Sequence, residues 1–133
     1  MKIILGLGCD RNTPLETLEQ VIDQALASVA LNRNQVIQLA SIDKKQDEGA
    51  LLKIAKLHSW PLTFYSAEQL ARVTVPSPSE VVMKYMGTPS VSEAAAILAA
   101  NTDMSDLLLE KFKYRGADGK NATVSIVRMR EKR

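Results

Sequence analysis

The chain has 133 residues, 46% of them hydrophobic and 24% charged, with a formal net charge of +2. That length suits a single domain over residues 1–133, large enough to bury a proper core. No apolar run approaches the roughly eighteen residues of a membrane span, and the amino terminus reads as a strand rather than a signal peptide. One cysteine excludes an internal disulfide and a thiolate zinc cluster, and with one histidine it gives no basis for a protein-only metal site. No cofactor is expected, and the setting expected is a reducing, cytoplasmic one.

The apolar run Ile3 to Leu7 predicts a buried strand, with Gly6 and Gly8 at its end before the helix start, where a plain tight turn is the alternative to a ligand-holding loop. Thr13-Pro14-Leu15-Glu16 is a capping box with proline at the first helical position. Leu15, Leu18, Val21, Ile22, Ala25, Leu26 and Val29 then form one apolar face at helical spacing, stopped by Asn32 to Asn34. Val36 to Ile42 predicts a second strand. A second helix is expected from Asp47, with Leu51, Leu52, Ile54, Ala55 and Leu57 facing inward, and Trp60-Pro61 ending it. Leu62 to Tyr65 is a third strand, and Ser66-Ala-Glu-Gln69 a second capping box. Ser77, Pro78 and Glu80 fit the cap, first and third positions of a helix closing at Gly87. Ser90-Val-Ser-Glu93 repeats the signature before the alanine-rich Ala94 to Ala100. Leu107 to Tyr114 and Ala122 to Met129 read as strands joined through Gly116-Ala-Asp-Gly119. The order implies an α/β fold: one three-layer α/β/α domain whose mixed sheet has about five strands and ends in a β-hairpin.

The residues with chemistry gather at strand ends. Glycines between a strand and a helix start let backbone N–H groups approach an anion, which the helix dipole favours. Gly8, Cys9, Arg11 and Thr13 fit that description, with Arg11 supplying a fork for carboxylate or phosphate. The P-loop pattern is absent, and Arg11 stands where a dinucleotide fingerprint needs its third glycine. If the first two strands are parallel, Ser41, Asp43 and Lys44 fall at the same edge. Ser77, Ser79 and Glu80 add a stiff, polar, proline-flanked rim.

A glycine turn and a positive helix end would lower the pKa of Cys9, but its only candidate base, His58, lies far off in sequence, and a small buried residue is the commoner reading. Residues 110–133 hold eight Lys/Arg against three Asp/Glu, so the carboxyl-terminal part is basic and suits an anionic partner. In Lys111-Phe-Lys-Tyr-Arg115, strand alternation puts Phe112 and Tyr114 on one face and the basic residues on the other. Exposed aromatics there would stack RNA bases, an alternative function. With 5% aromatic residues and no second such stretch, nucleic acid is not the expected partner.

Taken together, Gly6-Leu-Gly-Cys-Asp-Arg11, Leu39-Ala-Ser-Ile-Asp-Lys44 with Asp47-Glu48, Val75-Pro-Ser-Pro-Ser-Glu80 and Val91-Ser-Glu-Ala-Ala-Ala96 resemble, in this order, the CobE family. That family is the free-standing form of the C-terminal domain of the cobalamin-biosynthesis protein CbiG. Ser90 stands where the family often has glycine, and Ser125 where alanine is frequent. The resemblance implies a role in corrin-ring synthesis: binding, carrying or helping to process a precorrin-type tetrapyrrole that bears acetate and propionate groups. Other cobalamin-pathway enzymes are the further partners it implies. Whole CbiG proteins are cobalt-precorrin-5A hydrolases that open a lactone and release acetaldehyde, and they carry additional domains before this one. An alternative is therefore that a partner subunit completes such an assembly, in which Asp43 or Glu80 would position or deprotonate water.

Overall fold

Side-chain alternation along the first strand decides the layering. The computed structural model describes residues 1–130, and its elements run β1 (Lys2–Cys9), α1 (Leu15–Ser28), β2 (Val36–Ile42), α2 (Gly49–Leu57), β3 (Leu62–Tyr65), α3 (Ala67–Ala71), α4 (Glu80–Met86), α5 (Ser92–Ala99), β4 (Leu107–Arg115) and β5 (Asn121–Met129). The strands lie in the order β3-β2-β1-β5-β4. β1, β2 and β3 are parallel, and β5 is antiparallel to both β1 and β4. The sheet is thus mixed and five-stranded, and its last two strands form the expected hairpin.

Ile3, Leu5 and Leu7 point to one face, where they join Leu18 and Ile22 of α1 and Leu51 and Ile54 of α2 in a buried cluster. On the other face Ile4 packs with Ala96 and Ile97 of α5, while Ala40 and Ile42 pack with Leu70, Ala94 and Ala95. Each such buried Leu or Ile contributes about 2 kcal/mol of burial free energy. Helices on both faces make three layers.

Gly6 and Gly8 lie inside β1 and not in a turn after it. A Cβ on Gly6 would stand 1.8 Å from the Ser92 carbonyl oxygen, so the absent side chain lets α5 lie directly on the sheet. Beside this contact, the Ser92 and Ser125 hydroxyls are 2.8 Å apart.

The helices arise where periodicity puts them, but their starts differ. α1 begins at Leu15 with Pro14 at its cap, and the Thr13 hydroxyl donates to the Asp10 carbonyl instead of accepting from the helix. α2 begins at Gly49, after a 3-10 turn over Asp43–Lys45, and not at Asp47. It ends at Leu57, before Trp60-Pro61, because Ser59 adopts a left-handed φ of 56° and turns the chain. The Ser66 box forms in full, with Ser66 and Gln69 bonded reciprocally. α4 is capped by Ser79, which accepts from Val82 N, and not by Ser77. It closes at Gly87 with φ 77°, as its glycine requires. Ser90 does not cap α5; its hydroxyl donates to the Glu93 carboxylate at 3.2 Å.

The far end of the sheet is tied by Asp106, which is fully buried and accepts from Arg128 at 2.7 Å, from Arg130 at 2.8 Å and from Thr102. The Thr102 and arginine donors hold its carboxyl down at about 2. A folded-state pKa below the unfolded one adds stability above the ordinary carboxylate range, and this stability is lost as pH falls toward 2. Asp106→Asn should therefore lower stability by about 2 kcal/mol at neutral pH. The gap to wild type should close between about pH 4 and pH 2 in urea titrations. Gly6→Ala should cost about 3 kcal/mol through the clash with Ser92. Gly8→Ala should stay within about 0.5 kcal/mol, since a Cβ there meets only Val91, at 3.9 Å.

Candidate functional site

Beyond Gly6, the same face of β1 opens at Gly8 into a crevice of about 200 Å³. Gly8 and Cys9 lie along its floor with Thr123 and Asn121 of β5. Ser79, Val82 and Met86 of the α4 segment form one wall, and Ser90, Val91 and Ser92 at the start of α5 another. Lys111 and Lys113 of β4 complete it. No side chain caps the amino end of α5, so its first N–H groups add positive potential to the two lysines. Asp10, the one acid along this lining, accepts from Asn121 N at 2.7 Å.

Of the residues expected from the sequence, Gly8, Cys9 and Ser79 line the crevice. Arg11 does not. Its guanidinium donates to Asp47 at 2.7 Å, Glu48 at 3.0 Å and the Lys44 carbonyl at 2.9 Å. Buried Glu48 also accepts from Asn12 N at 2.6 Å, so Arg11 and Asn12 clamp the loop after β1 onto the segment entering α2. Ser41 is buried and donates to the Leu7 carbonyl at 2.7 Å. Asp43 opens the 3-10 turn, half-buried, and Thr13 is buried against Asp10. Lys44 reaches over to α4, donating to the Met86 carbonyl at 3.1 Å. Ser77 offers its carbonyl to Lys111 at 2.6 Å, and Glu80 is exposed in the first turn of α4.

Lys111 and Lys113 were missed as site residues, although strand alternation gave their common face. Phe112 and Tyr114 pack against the α1 side of the core, which removes them as a base-stacking platform. Beside Lys111 lies Glu93, fully buried, with one oxygen 3.7 Å from the ammonium and the other without a partner. Burial pushes this carboxyl upward, against the pull of Lys111 and the Ser90 hydroxyl.

A larger groove of about 860 Å³ runs between Arg72, Val73, Ile97, Leu98, Met104 and Leu107. Asp103 and Glu110 outnumber Arg72 along it, which disfavours a polyanion there. Among the described residues no helix is long and apolar enough to cross a membrane, and no group of three metal-ligating side chains occurs.

An open α/β sheet with a basic crevice over the carboxyl end of its first strand is a common ligand-binding architecture. Residues 3–127 match the family described as cobalamin synthesis G C-terminus, and the chain belongs to that family as a cobalamin-biosynthesis protein. It is similar to a cobalt-precorrin-5A hydrolase of Priestia megaterium, 35% identical over 109 residues, which are 82% of this chain but 29% of that protein. The chain therefore spans under a third of that relative. It is also similar to protein CobE of Sinorhizobium sp, 34% identical over 76% of this chain and 67% of that protein. A solved structure of CobE, described as a protein from the cobalamin (vitamin B12) biosynthetic pathway, matches with a TM-score of 0.78 at 31% identity. That match covers 99% of this chain and 93% of the other.

Cys9 departs from the reactive thiol that its neighbourhood suggested. Burial pushes it up to about 11, outweighing nearby Lys45. His58 is committed elsewhere, 3.0 Å from Glu19, 2.9 Å from Arg33 and stacked on Trp60. Iodoacetamide should alkylate native Cys9 at pH 8 at least tenfold more slowly than the unfolded chain, because the thiolate is scarce and shielded. A native rate equal to the unfolded one would contradict this environment.

Proposed function

We propose that the crevice binds a carboxylate-bearing side chain of a precorrin-type tetrapyrrole, so that the domain holds or presents a corrin intermediate during ring synthesis. The observation that carries this reading is the pair Lys111 and Lys113 on the face of β4 that walls the crevice. Two ammonium groups and an uncapped helix start form a site for one or two carboxylates. Relatives named for cobalt-precorrin-5A hydrolysis and for the cobalamin pathway supply the substrate class. With Val82 and Met86 where they stand, a space of about 200 Å³ takes a substituent and not a macrocycle.

Gly8 keeps the floor open and Ser79 offers a hydroxyl at the rim. Arg11 and Thr13 back the crevice by fixing the loop after β1, and Ser41 by tying β2 to β1. Neither Asp43 nor Glu80 lines the crevice, so binding is the better-supported reading than water activation.

Cobyrinic acid, with free side-chain carboxylates, should bind and shift its visible spectrum, whereas the amidated cobinamide should bind at least tenfold more weakly. Lys111→Ala and Lys113→Ala should each weaken cobyrinic acid about tenfold. Lys53→Ala on the exposed face of α2 should change nothing. Equal affinity for the acid and the amide would sink the reading.

A further inference from the structure

α4 is held differently from the other helices. Among the described residues it is the α-helix with no buried side chain, while Val81 and Tyr85 are 66% and 68% exposed. It touches the body through Val82 and Met86, the two apolar residues that wall the crevice. Its entry and exit are joined at a neck, where Ser79 N donates to the Pro89 carbonyl at 2.9 Å. Prolines at 76, 78 and 89 stiffen the flanks of that neck. Buried Thr88, which donates to the Ser90 carbonyl at 3.0 Å, anchors its exit.

Two lysines from outside the segment fasten it. Lys111 donates to the Ser77 carbonyl at 2.6 Å, just before the neck. Lys44 donates to the Met86 carbonyl at 3.1 Å, at the far end of the helix, where the dipole favours a cation. Each lysine therefore gives a hydrogen bond to a neutral carbonyl, while the Glu93 carboxylate stands 3.7 Å from Lys111. An ammonium bonds a carboxylate more strongly than a carbonyl, so an incoming carboxylate outcompetes both contacts.

We propose that Lys44 joins Lys111 and Lys113 as a carboxylate anchor of the bound ligand and that, without ligand, Lys44 and Lys111 latch α4 over the crevice. Carboxylates take the lysines, α4 swings about the Ser79–Pro89 neck, and the ring enters beneath Val82 and Met86. This inference rests on the binding reading above and adds to it a moving wall and an assignment for both lysines. It also accounts for a closed space smaller than a macrocycle.

The lock test uses the position of Gly87, where a Cβ would lie 3.3 Å from that of Ala67, at the short edge of what a disulfide spans; because φ 77° strains any side chain there, the reduced variant is the reference. The variant Ala67→Cys/Gly87→Cys, on a Cys9→Ser background, ties the far end of α4 to α3. Oxidised, it should bind cobyrinic acid at least tenfold more weakly than the same variant reduced with dithiothreitol. Unchanged affinity in the oxidised form would overturn the moving wall. Separately, Lys44→Met/Lys111→Met should raise amide hydrogen exchange over residues 79–89 about tenfold without ligand, leaving the sheet unchanged. Unaltered exchange would overturn the latch. Failure of wild type to bind cobyrinic acid would refute the binding reading and with it the anchor role. The exchange measurement still decides the latch in that event.

Discussion

The contact on which the site depends is a backbone lying on a backbone. At Gly6 the Ser92 carbonyl occupies the space of a side chain, bringing the start of α5 down onto β1. Helices normally pack on sheets across two layers of side chains, so this approach is unusually close. It brings Ser90 to Ser92 beside Gly8, two residues further along the same face. The alanine-rich sequence of α5 follows from the same constraint: Ala94, Ala95 and Ala96 are all fully buried where larger side chains would lift the helix away. The crevice is what remains where the contact ends.

Arg11 illustrates how a charged residue near a site can be structural. Its sequence position, after two glycines and before a helix, fits an anion-binding fork. Its partners are Asp47, Glu48 and a carbonyl, and so its charge is neutralised within the fold. The opposite holds for Lys113, which is exposed at the crevice wall. Affinity for an anion depends on which cations remain unneutralised, and that follows from tertiary pairing rather than from residue type.

Much of the fold was legible from local pattern. The apolar face of α1 from Leu18 to Leu26 is buried as its spacing requires, and Val36 to Ile42 and Leu62 to Tyr65 are strands at the expected bounds. The capping signatures were less dependable for a chemical reason. A Ser or Thr hydroxyl bonds whichever group is nearest, and Thr13 finds the Asp10 carbonyl while Ser90 finds the Glu93 carboxylate. Of the four Ser or Thr signatures, Ser66 makes the full box. The glycines were misplaced because a turn and a close helix approach both require the same residue. The lysines of the site were legible only as a face. That this face meets Gly8 depends on β5 lying between β1 and β4, a pairing set by contacts more than a hundred residues apart.

Glu93 gives the crevice its remaining constraint. A buried carboxylate with one unpartnered oxygen is costly, and the nearest compensation is the ammonium of Lys111. Lys111 thus lies between two acceptors at the crevice wall, the Ser77 carbonyl and the Glu93 carboxylate. Because Glu93 stands at 3.7 Å, beyond a tight ion pair, it biases the lysine toward the crevice without capturing it. A closer acid would neutralise the site as Asp47 and Glu48 neutralise Arg11. An apolar residue in its place would leave the lysine free to turn outward to water. The position of one buried acid therefore sets how available the basic wall is to an anion, and this is a property of the packing of α5 against β4 that Gly6 makes possible.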